Sequence, residues 1–153
     1  MTTIEWEKLA TMHAEMVDCT VSQWHESGTD HEDVPLDVDW NRYQAIEDAG
    51  AFRLLSARRD GILAGYAAFF ISDHLMYRTT PHILCDSVYA RTNHRGVGIL
   101  LVRAAEKKLR ELLGNRTFRI VYSAQTASDF PTVLRRLGYP EKESVHVKLM
   151  RAA

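Results

Sequence analysis

The stretch of residues 88–106, VYARTNHRGVGILLVRAAE, joins a predicted strand to a predicted helix and decides the fold. The strand covers residues 83–89 and mixes apolar with polar side chains, whereas apolar residues recur at helical spacing over residues 99–113. Gly96 and Gly98 lie in the connection, where glycine permits a tight turn and lets a ligand approach the backbone. The free amides and positive dipole end of the helix then predict an anion site.

The two glycines alone also fit an ordinary tight turn between a strand and a helix. Arg91 and Arg95 add cationic side chains at this turn, which favours a phosphate group as the anion. A dinucleotide-binding fold is disfavoured because no third glycine follows at the expected spacing and the unit lies in the middle of the chain. An unrelated phosphate- or nucleotide-binding α/β protein stays open as a weaker alternative.

Outward from this turn, hydrophobic periodicity predicts the order helix, helix, strand, strand, strand, helix, strand, helix, strand. The predicted helices cover residues 4–24, 40–49 and 99–113, and a last one is capped by Ser128 and ended by Gly138. The predicted strands are 52–58, 62–72, 83–89, 118–123 and 144–150, with loops at 25–39 and 73–81. Hairpins and strand-helix-strand units together predict an α/β fold, a mixed sheet with helices on both faces.

Length and composition indicate an ordinary globular protein. We expect one domain over residues 1–153, because this length suffices for a single hydrophobic core. The net charge of −1 gives no basic field for nucleic acid or a membrane surface. Cys19 and Cys85 form no disulfide framework, and the first residues lack the layout of a secretory signal, so we expect a cytoplasmic protein. The apolar run 62–71 is too short to span a bilayer.

The same turn resembles the signature of the GNAT superfamily of N-acetyltransferases. That signature is a valine-bearing strand, then Gln/Arg-x-x-Gly-x-Gly/Ala, then a helix that begins with small residues and leucine. Here it corresponds to Val88, the run Asn93-His94-Arg95-Gly96-Val97-Gly98, and then Leu101. The order of elements is similar over nearly the whole chain, and Leu137-Gly138-Tyr139 resembles the closing motif of the family. A looser resemblance extends to compact proteins encoded by phages.

The resemblance implies a GNAT acyl-CoA N-acyltransferase fold with acetyl-CoA as the cofactor. Backbone amides from about Arg95 to Leu100 would bind the pyrophosphate, and the backbone of Val88–Ala90 would pair with the pantetheine arm. The acceptor amine would attack the thioester directly, with the oxyanion held by a strand amide. The implied cofactor-binding residues are Val88, Tyr89, Ala90, Asn93, His94, Arg95, Gly96, Val97, Gly98, Ile99, Leu100 and Ser128.

An acceptor amine must lose a proton before it attacks, so a base is needed near the strand. His82 is the first candidate, because it lies six residues before Val88, where related enzymes with a strand base carry Glu or His. Alternation places His82, Leu84, Asp86 and Val88 on one side of the strand. Asp86 is the second candidate, roughly 13 Å further along. A surface histidine at a strand start and a structural aspartate are the alternatives.

The family's usual general acid, a tyrosine four residues before the last helical glycine, is replaced here by Leu134. Tyr122 is the chosen candidate for protonating the leaving thiolate, with Tyr139 and Tyr77 as substitutes and solvent as another proton source. Each tyrosine also fits a packing role. Cys85 has the opposite parity to His82 and is interpreted as a core residue rather than a nucleophile.

The loop from Glu26 to Asp39 carries six carboxylates and covers the position of the acceptor site in GNAT folds. It either attracts a cationic acceptor, such as a lysine, polyamine or aminoglycoside, or is simply a solvated acidic loop. His25 and His31 lack paired ligand spacing, so no metal site is predicted. The first hypothesis is therefore an N-acetyltransferase acting on a small or protein amine. The alternative is a catalytically weak GNAT-fold interaction module, possibly phage-encoded and acting on a host protein; an exposed edge at the last strand makes a homodimer plausible.

Overall fold

The computed structural model describes residues 1–27 and 33–152 and arranges them around one mixed sheet. The strands in chain order are β1 (Thr2–Glu7), β2 (Phe52–Arg59), β3 (Ile62–His74), β4 (Tyr77–Ala90) and β5 (Arg119–Tyr122). The helices are α1 (Leu9–Ser27), α2 (Trp40–Asp48), α3 (Val97–Leu113) and α4 (Phe130–Arg136). No helix within the described ranges is long and apolar enough to cross a membrane.

The sheet has the strand order β1-β2-β3-β4-β5. Strands β1 to β4 are successively antiparallel, and β5 joins β4 in parallel through the crossover that contains α3. One face is buried under α1, where Leu9, Met12 and Met16 belong to the apolar cluster. The other face is buried under α3, whose Leu101 and Leu109 are fully enclosed. The predicted mixed sheet with helices on both faces is confirmed.

The predicted helix over residues 4–24 is wrong at its start. Thr2–Glu7 is a strand that pairs with β2, and α1 begins only at Leu9. Ile4 and Trp6 lie two residues apart and both pack against the cluster under α3. Ile4 and Trp6 face the same side because they alternate along a strand that pairs with β2. Apolar residues at helical spacing follow directly, and they made the whole segment resemble one helix.

The predicted loop 73–81 is also wrong, because β3 and β4 continue through it as a long hairpin. Only Leu75 and Met76 separate the two strands, and both are exposed. Conversely, the predicted strand 144–150 forms no ladder within the described chain, and Val145 and Val147 stay 77% and 76% exposed. Alternation of apolar residues is not enough for a strand without a neighbour that supplies hydrogen bonds. The homodimer prediction depended on an exposed edge of this last strand, and the described residues form no such strand.

A carboxylate from α2 caps the beginning of α1. Glu47 is 4% exposed, and its Oε1 and Oε2 accept hydrogen bonds from the Leu9 amide at 3.0 and 3.2 Å. Gln44 donates to the same carboxylate at 3.2 Å. Helix amides at a buried N-terminus need such acceptors because no carbonyl of the same helix can reach them. The contact fixes the two helices to each other on one face of the sheet.

We expect Glu47→Ala to lower the free energy of unfolding by about 1–3 kcal/mol, because the buried Leu9 amide loses its acceptor. Glu47→Gln keeps one acceptor oxygen and should lose clearly less. Urea denaturation of the two variants against wild type measures the difference. Equal losses for the alanine and glutamine variants would show that the cap contributes nothing beyond packing.

Candidate active site

The sheet opens where β5 ends. The parallel ladder joins His82–Cys85 of β4 to Arg119–Tyr122, and β5 stops there while β4 runs on to Ala90. The β5-side edge of residues 86–90 has no strand partner among the residues that the structure describes. Its amides and carbonyls are therefore available to an extended ligand, which can bind as an added strand does.

The beginning of α3 lies just beyond this open edge. Gly96 is the N-cap residue and has a φ of 84°, a conformation that favours glycine. In the described chain, the amides of Arg95, Gly96, Gly98 and Ile99 donate to no backbone carbonyl. The amides of Val97 and Leu100 are already used, at 3.3 Å to His94 and 3.2 Å to Gly96. Four of the six amides predicted for anion binding are thus free.

Gly98 has no structural need to be glycine. A Cβ built on it would meet only Val88 Cγ1, at 3.9 Å, and its φ is not positive. Glycine inside the first turn weakens a helix by roughly 0.5–1 kcal/mol relative to alanine. The protein itself would tolerate a Cβ here, so the glycine leaves room for a ligand to approach the backbone closely.

The polar side chains around this turn fall into two groups. Asn93 and Arg95 are exposed, and His94 is half-buried with an Nδ1 that has no hydrogen-bond partner among the described residues. Arg91 is committed to the fold, because its Nε donates to the Leu63 carbonyl at 3.0 Å. Ser128 lies two residues before α4, where its Oγ donates to the Gln125 carbonyl at 2.9 Å. Exposed Arg95 is the better placed of the two arginines for a phosphate.

A β-bulge puts Asp86 at the opening. Ala68 faces Ser87 and Phe69 faces Cys85, so Asp86 is an extra residue with no partner on β3. Beyond the bulge, the alternation of side chains between the two faces is shifted by one residue. Cys85 and Val88, which are three residues apart, therefore both pack toward α3. The predicted grouping of His82, Leu84, Asp86 and Val88 on one side is therefore wrong for Val88, because a regular strand has no bulge.

The Asp86 carboxylate lies near the hydroxyl of Tyr43 on α2. Burial raises the pKa of Asp86, and the nearby Tyr43 hydroxyl opposes this rise. The side chain is exposed to solvent. A reachable carboxylate with a raised pKa is the kind of group that can accept a proton near neutral pH.

His82 lies away from the opening. It is half-buried in the closed part of the sheet, between Ser72 of β3 and Arg119 of β5, and its ring centroid is 5.8 Å from that of His74. Four strand residues, or roughly 13 Å, separate it from Asp86. The structure thus brings Asp86, and not His82, to the free edge of β4.

Tyr122 ends β5 opposite Cys85, and its ring contacts that of Tyr139 at a centroid distance of 5.0 Å. The Tyr139 hydroxyl donates to Glu106 Oε1 at 2.6 Å. Burial raises the pKa of Tyr122 far above its ordinary range, so this hydroxyl keeps its proton. Tyr77 is 56% exposed beside the tip of the hairpin, remote from the opening.

Cys85 and Leu134 have the surroundings of core residues. Cys85 is 2% exposed and belongs to the cluster under α3, and burial raises the pKa of its thiol. A buried thiol that stays protonated is a poor nucleophile, which agrees with the core interpretation. Leu134 is 6% exposed and fills the α4 position where many GNAT members carry their acid.

The acidic segment is only partly described, and several of its carboxylates have structural partners. Glu26 Oε1 accepts from the Tyr89 hydroxyl at 3.1 Å, Asp39 caps α2 through the Arg42 amide at 2.9 Å, and Asp33 pairs with Arg151 at 2.8 Å. Asp30, His31 and Glu32 lie outside the described residues. Arg151 is the one cation among these three partners, so within the described residues Asp33 is the carboxylate of the segment that an ion pair neutralises.

Sequence reasoning missed two residues of this region. Tyr43 fits the apolar side of a short amphipathic helix, and nothing local indicates that α2 reaches Asp86. A Cβ on Gly65 would lie 2.5 Å from the Tyr89 carbonyl oxygen and 3.0 Å from Val97 Cγ1, so this glycine lets β3, β4 and α3 meet. The signal was a glycine inside a strand, which often marks close backbone approach.

Comparisons with known proteins bear on the family and the fold. Residues 9–131 match the model of the acetyltransferase (GNAT) family. An aminoglycoside acetyltransferase from an uncultured soil metagenomic sample, solved with sisomicin, has 15% identity and a TM-score of 0.72, with 99% of this chain and 97% of that chain covered. Glucosamine-6-phosphate N-acetyltransferase from Arabidopsis thaliana has 11% identity and a TM-score of 0.73, with 99% of both chains covered.

A third solved structure, AAC(6')-Iy in complex with the bisubstrate analog CoA-S-monomethyl-acetylneamine, has 18% identity and a TM-score of 0.68 over 99% of both chains. No curated protein sequence matches the chain. At these identities the solved structures bear on the fold, and they confirm the predicted GNAT fold.

Proposed function

The chain belongs to the acetyltransferase (GNAT) family, with acetyl-CoA as cosubstrate, and from this premise we propose that it acetylates the amine of a small cationic acceptor directly. The observation that carries the proposal is that two sets of unpaired backbone groups lie next to each other. The unpaired edge of residues 86–90 leads to the free amides at Gly96 and Gly98. Solved structures of the same fold include acetyltransferases for aminoglycosides and for glucosamine 6-phosphate, which supports a small amine.

The residues present fit the cosubstrate. The amides of Arg95, Gly96, Gly98 and Ile99 would hold the pyrophosphate at the positive end of α3, with the Arg95 side chain beside them. The backbone of Val88–Ala90 would pair with the pantetheine arm. His94, Asn93 and Ser128 stay proposed contacts from their places around the turn and α4. When bound, acetyl-CoA supplies the thioester carbonyl that the amine attacks.

We assign the base to Asp86 rather than to His82, since Asp86 lies at the opening. An ammonium group near Asp86 would give up a proton to this carboxylate, and the neutral amine could then attack. A free amide of β4 at the opening would hold the oxyanion. Tyr122 is retained as a hydrogen-bond donor to the leaving sulfur, and its raised pKa leaves protonation of the thiolate to solvent.

Two measurements test the proposed function. Acetyl-CoA at a hundredfold excess over its dissociation constant should stabilise the protein by about 2.7 kcal/mol in thermal melting, whereas ATP and NAD should not. Release of free CoA should then be followed with an aminoglycoside, a polyamine, glucosamine 6-phosphate and a lysine-rich protein as acceptors. CoA release with the lysine-rich protein alone would contradict the small acceptor, and no release with any amine would contradict transfer.

Gly98→Ala should weaken acetyl-CoA binding by about tenfold, or about 1.4 kcal/mol, while leaving the protein as stable or slightly more stable. The new methyl group meets only Val88 in the protein but occupies the space above the amides. Calorimetric titration and urea denaturation measure the two quantities. The exposed neighbour Thr92 offers a control, since Thr92→Ala should change neither; unchanged binding in Gly98→Ala would contradict pyrophosphate binding at this turn.

A further inference from the structure

We propose that residues 143–151 bind the same residues of a second copy of this chain, as two antiparallel strands related by a two-fold axis. The sequence of this segment is ESVHVKLMR, and it follows α4. The inference concerns assembly, so it does not depend on the proposed acetyl transfer. Pairing of the two copies would create the strand that the sequence predicts at residues 144–150.

The segment leaves the sheet where β5 begins. Tyr139 contacts Tyr122 at the end of β5, with ring centroids 5.0 Å apart, and Glu143 forms an ion pair with Arg119 at the start of β5. Residues 139–143 therefore run back along β5 in the reverse direction. Because β5 starts at Arg119, the chain that continues beyond Glu143 has no residue of β5 beside it.

Residues 144–150 are extended, and their backbone groups are unused. Ser144 Oγ and His146 Nε2 lie 3.2 Å apart, as expected for side chains two residues apart on one side of an extended chain. Across the part of the chain that the structure describes, no amide or carbonyl of residues 143–151 forms a backbone hydrogen bond. Such a segment offers its donors and acceptors to an added strand.

The apolar side chains of the segment are left uncovered by the described chain. Val145, Val147 and Leu149 alternate with polar residues and therefore share one side of the extended segment. Every side chain from residue 141 to residue 152 is exposed. The segment is nevertheless held at both ends, by the Glu143 ion pair and by a contact of 2.8 Å between Arg151 and Asp33. A row of exposed apolar side chains in a fixed place is typical of a surface that a partner covers.

The charges of the segment favour a second copy as that partner. In an antiparallel pair centred on Val147, each residue faces the residue equally far from the centre on the other chain. Glu143 then faces Arg151 of the second copy, and the symmetric contact gives a second ion pair. Val145 faces Leu149 in the same way, so the apolar rows also coincide. A shift of two residues in this register would lose both ion pairs.

The ion pairs within one chain need not break when the copies associate. Arg119 contacts one oxygen of the Glu143 carboxylate, and Asp33 contacts one nitrogen of the Arg151 guanidinium. A carboxylate has two oxygens and a guanidinium has five N–H donors, so each group can bind a further partner. The two contacts within the chain therefore hold the segment in place for the contacts between chains.

Sedimentation velocity over a dilution series of the whole chain tests the association. Wild type should form a dimer that dissociates on dilution, whereas Val147→Lys should stay monomeric, because two like charges would face each other at the two-fold axis. Met76→Lys is the matched control, since Met76 is 79% exposed at the hairpin tip, and it should dimerise as wild type does. A monomeric wild type, or equal dimerisation of Val147→Lys, would overturn the proposal.

Charge exchange separates pairing between copies from pairing within one chain. Glu143→Arg and Arg151→Glu should each weaken the dimer by about tenfold, the scale of two exposed ion pairs. The double variant restores opposite charges between the copies, while within each chain its new charges repel Arg119 and Asp33. Its dimer should therefore be tighter than that of either single variant. A double variant that dimerises no better than the single variants would refute this register.

Disulfide trapping measures the register directly. Facing Cα atoms of antiparallel strands lie about 4.5–5.5 Å apart, which a disulfide can span. Val147→Cys should form a covalent dimer on oxidation, whereas Met150→Cys should not, because its two thiols would lie six residues apart, or roughly 20 Å. The native Cys19 and Cys85 are buried. Equal trapping of the two variants, or a dimer in which Val147→Cys is not trapped, would contradict pairing centred on Val147.

Discussion

Asp86→Asn is expected to reduce kcat by about 10²–10⁴-fold, the usual contribution of a general base, without destabilising the protein. Asparagine has nearly the same shape, but it cannot take a proton from the amine. Steady-state CoA release gives kcat, and urea denaturation gives the free energy of unfolding. The unusual part of the expectation is that activity and stability change in opposite directions.

The stability effect has a definite pH dependence. The folded protein has an Asp86 pKa above that of the unfolded chain, so the folded state holds this proton more tightly. The corresponding stability is present below the unfolded pKa and is lost as the pH rises through the folded one. Asparagine never ionises, so Asp86→Asn should gain stability relative to wild type above that window and not below it.

Two controls make the result specific. Asp73→Asn changes an exposed carboxylate near the hairpin tip and should affect neither quantity. His82→Asn removes the alternative base and should leave most of the activity. If His82→Asn abolishes transfer while Asp86→Asn does not, the base has been assigned to the wrong residue of β4.

Gly65→Ala should lower the free energy of unfolding by about 1–3 kcal/mol, a large effect for one methyl group. Its Cβ would lie 2.5 Å from the Tyr89 carbonyl oxygen, 3.0 Å from Ala90 Cα and 3.0 Å from Val97 Cγ1. Two of these atoms are backbone and cannot rotate away, so β3, β4 and the start of α3 must separate. Acetyl-CoA binding should weaken as well, because Tyr89, Ala90 and Val97 border the proposed cosubstrate site.

Gly98→Ala is the matched control, because the same methyl group enters open space one residue beyond Val97. Urea denaturation should show a loss of stability for Gly65→Ala and none for Gly98→Ala. The two variants should nevertheless both bind acetyl-CoA less well, for different reasons. Similar unfolding free energies for the pair would mean that the close approach at Gly65 carries no energetic cost.

The turn at Gly96 and Gly98 was predictable because its determinants are local. The helical repeat after Ile99, the glycine with a positive φ at residue 96 and the free amides all follow from neighbours in the chain. The hairpin at Asp60-Gly61 is of the same kind, and both residues have positive φ values. The fold class therefore followed from the sequence with few alternatives.

The errors concern features that depend on distant partners. β1 is a strand because β2 lies beside it, and residues 144–150 form none because no ladder partner is present in the described chain. The ranking of His82 above Asp86 relied on regular alternation through β4. A one-residue bulge depends on register against β3, which no single strand sequence specifies.

The bulge at Asp86 has a consequence for how this chain can vary in evolution. One deleted residue at this bulge would restore regular pairing with β3 and leave the later side chains of β4 on their present faces, but it would remove the extra position that Asp86 occupies. Natural variants should therefore keep the length of this segment even where its residues change. The exposed tip at Leu75 and Met76 carries no such constraint, so insertions and deletions should accumulate there instead.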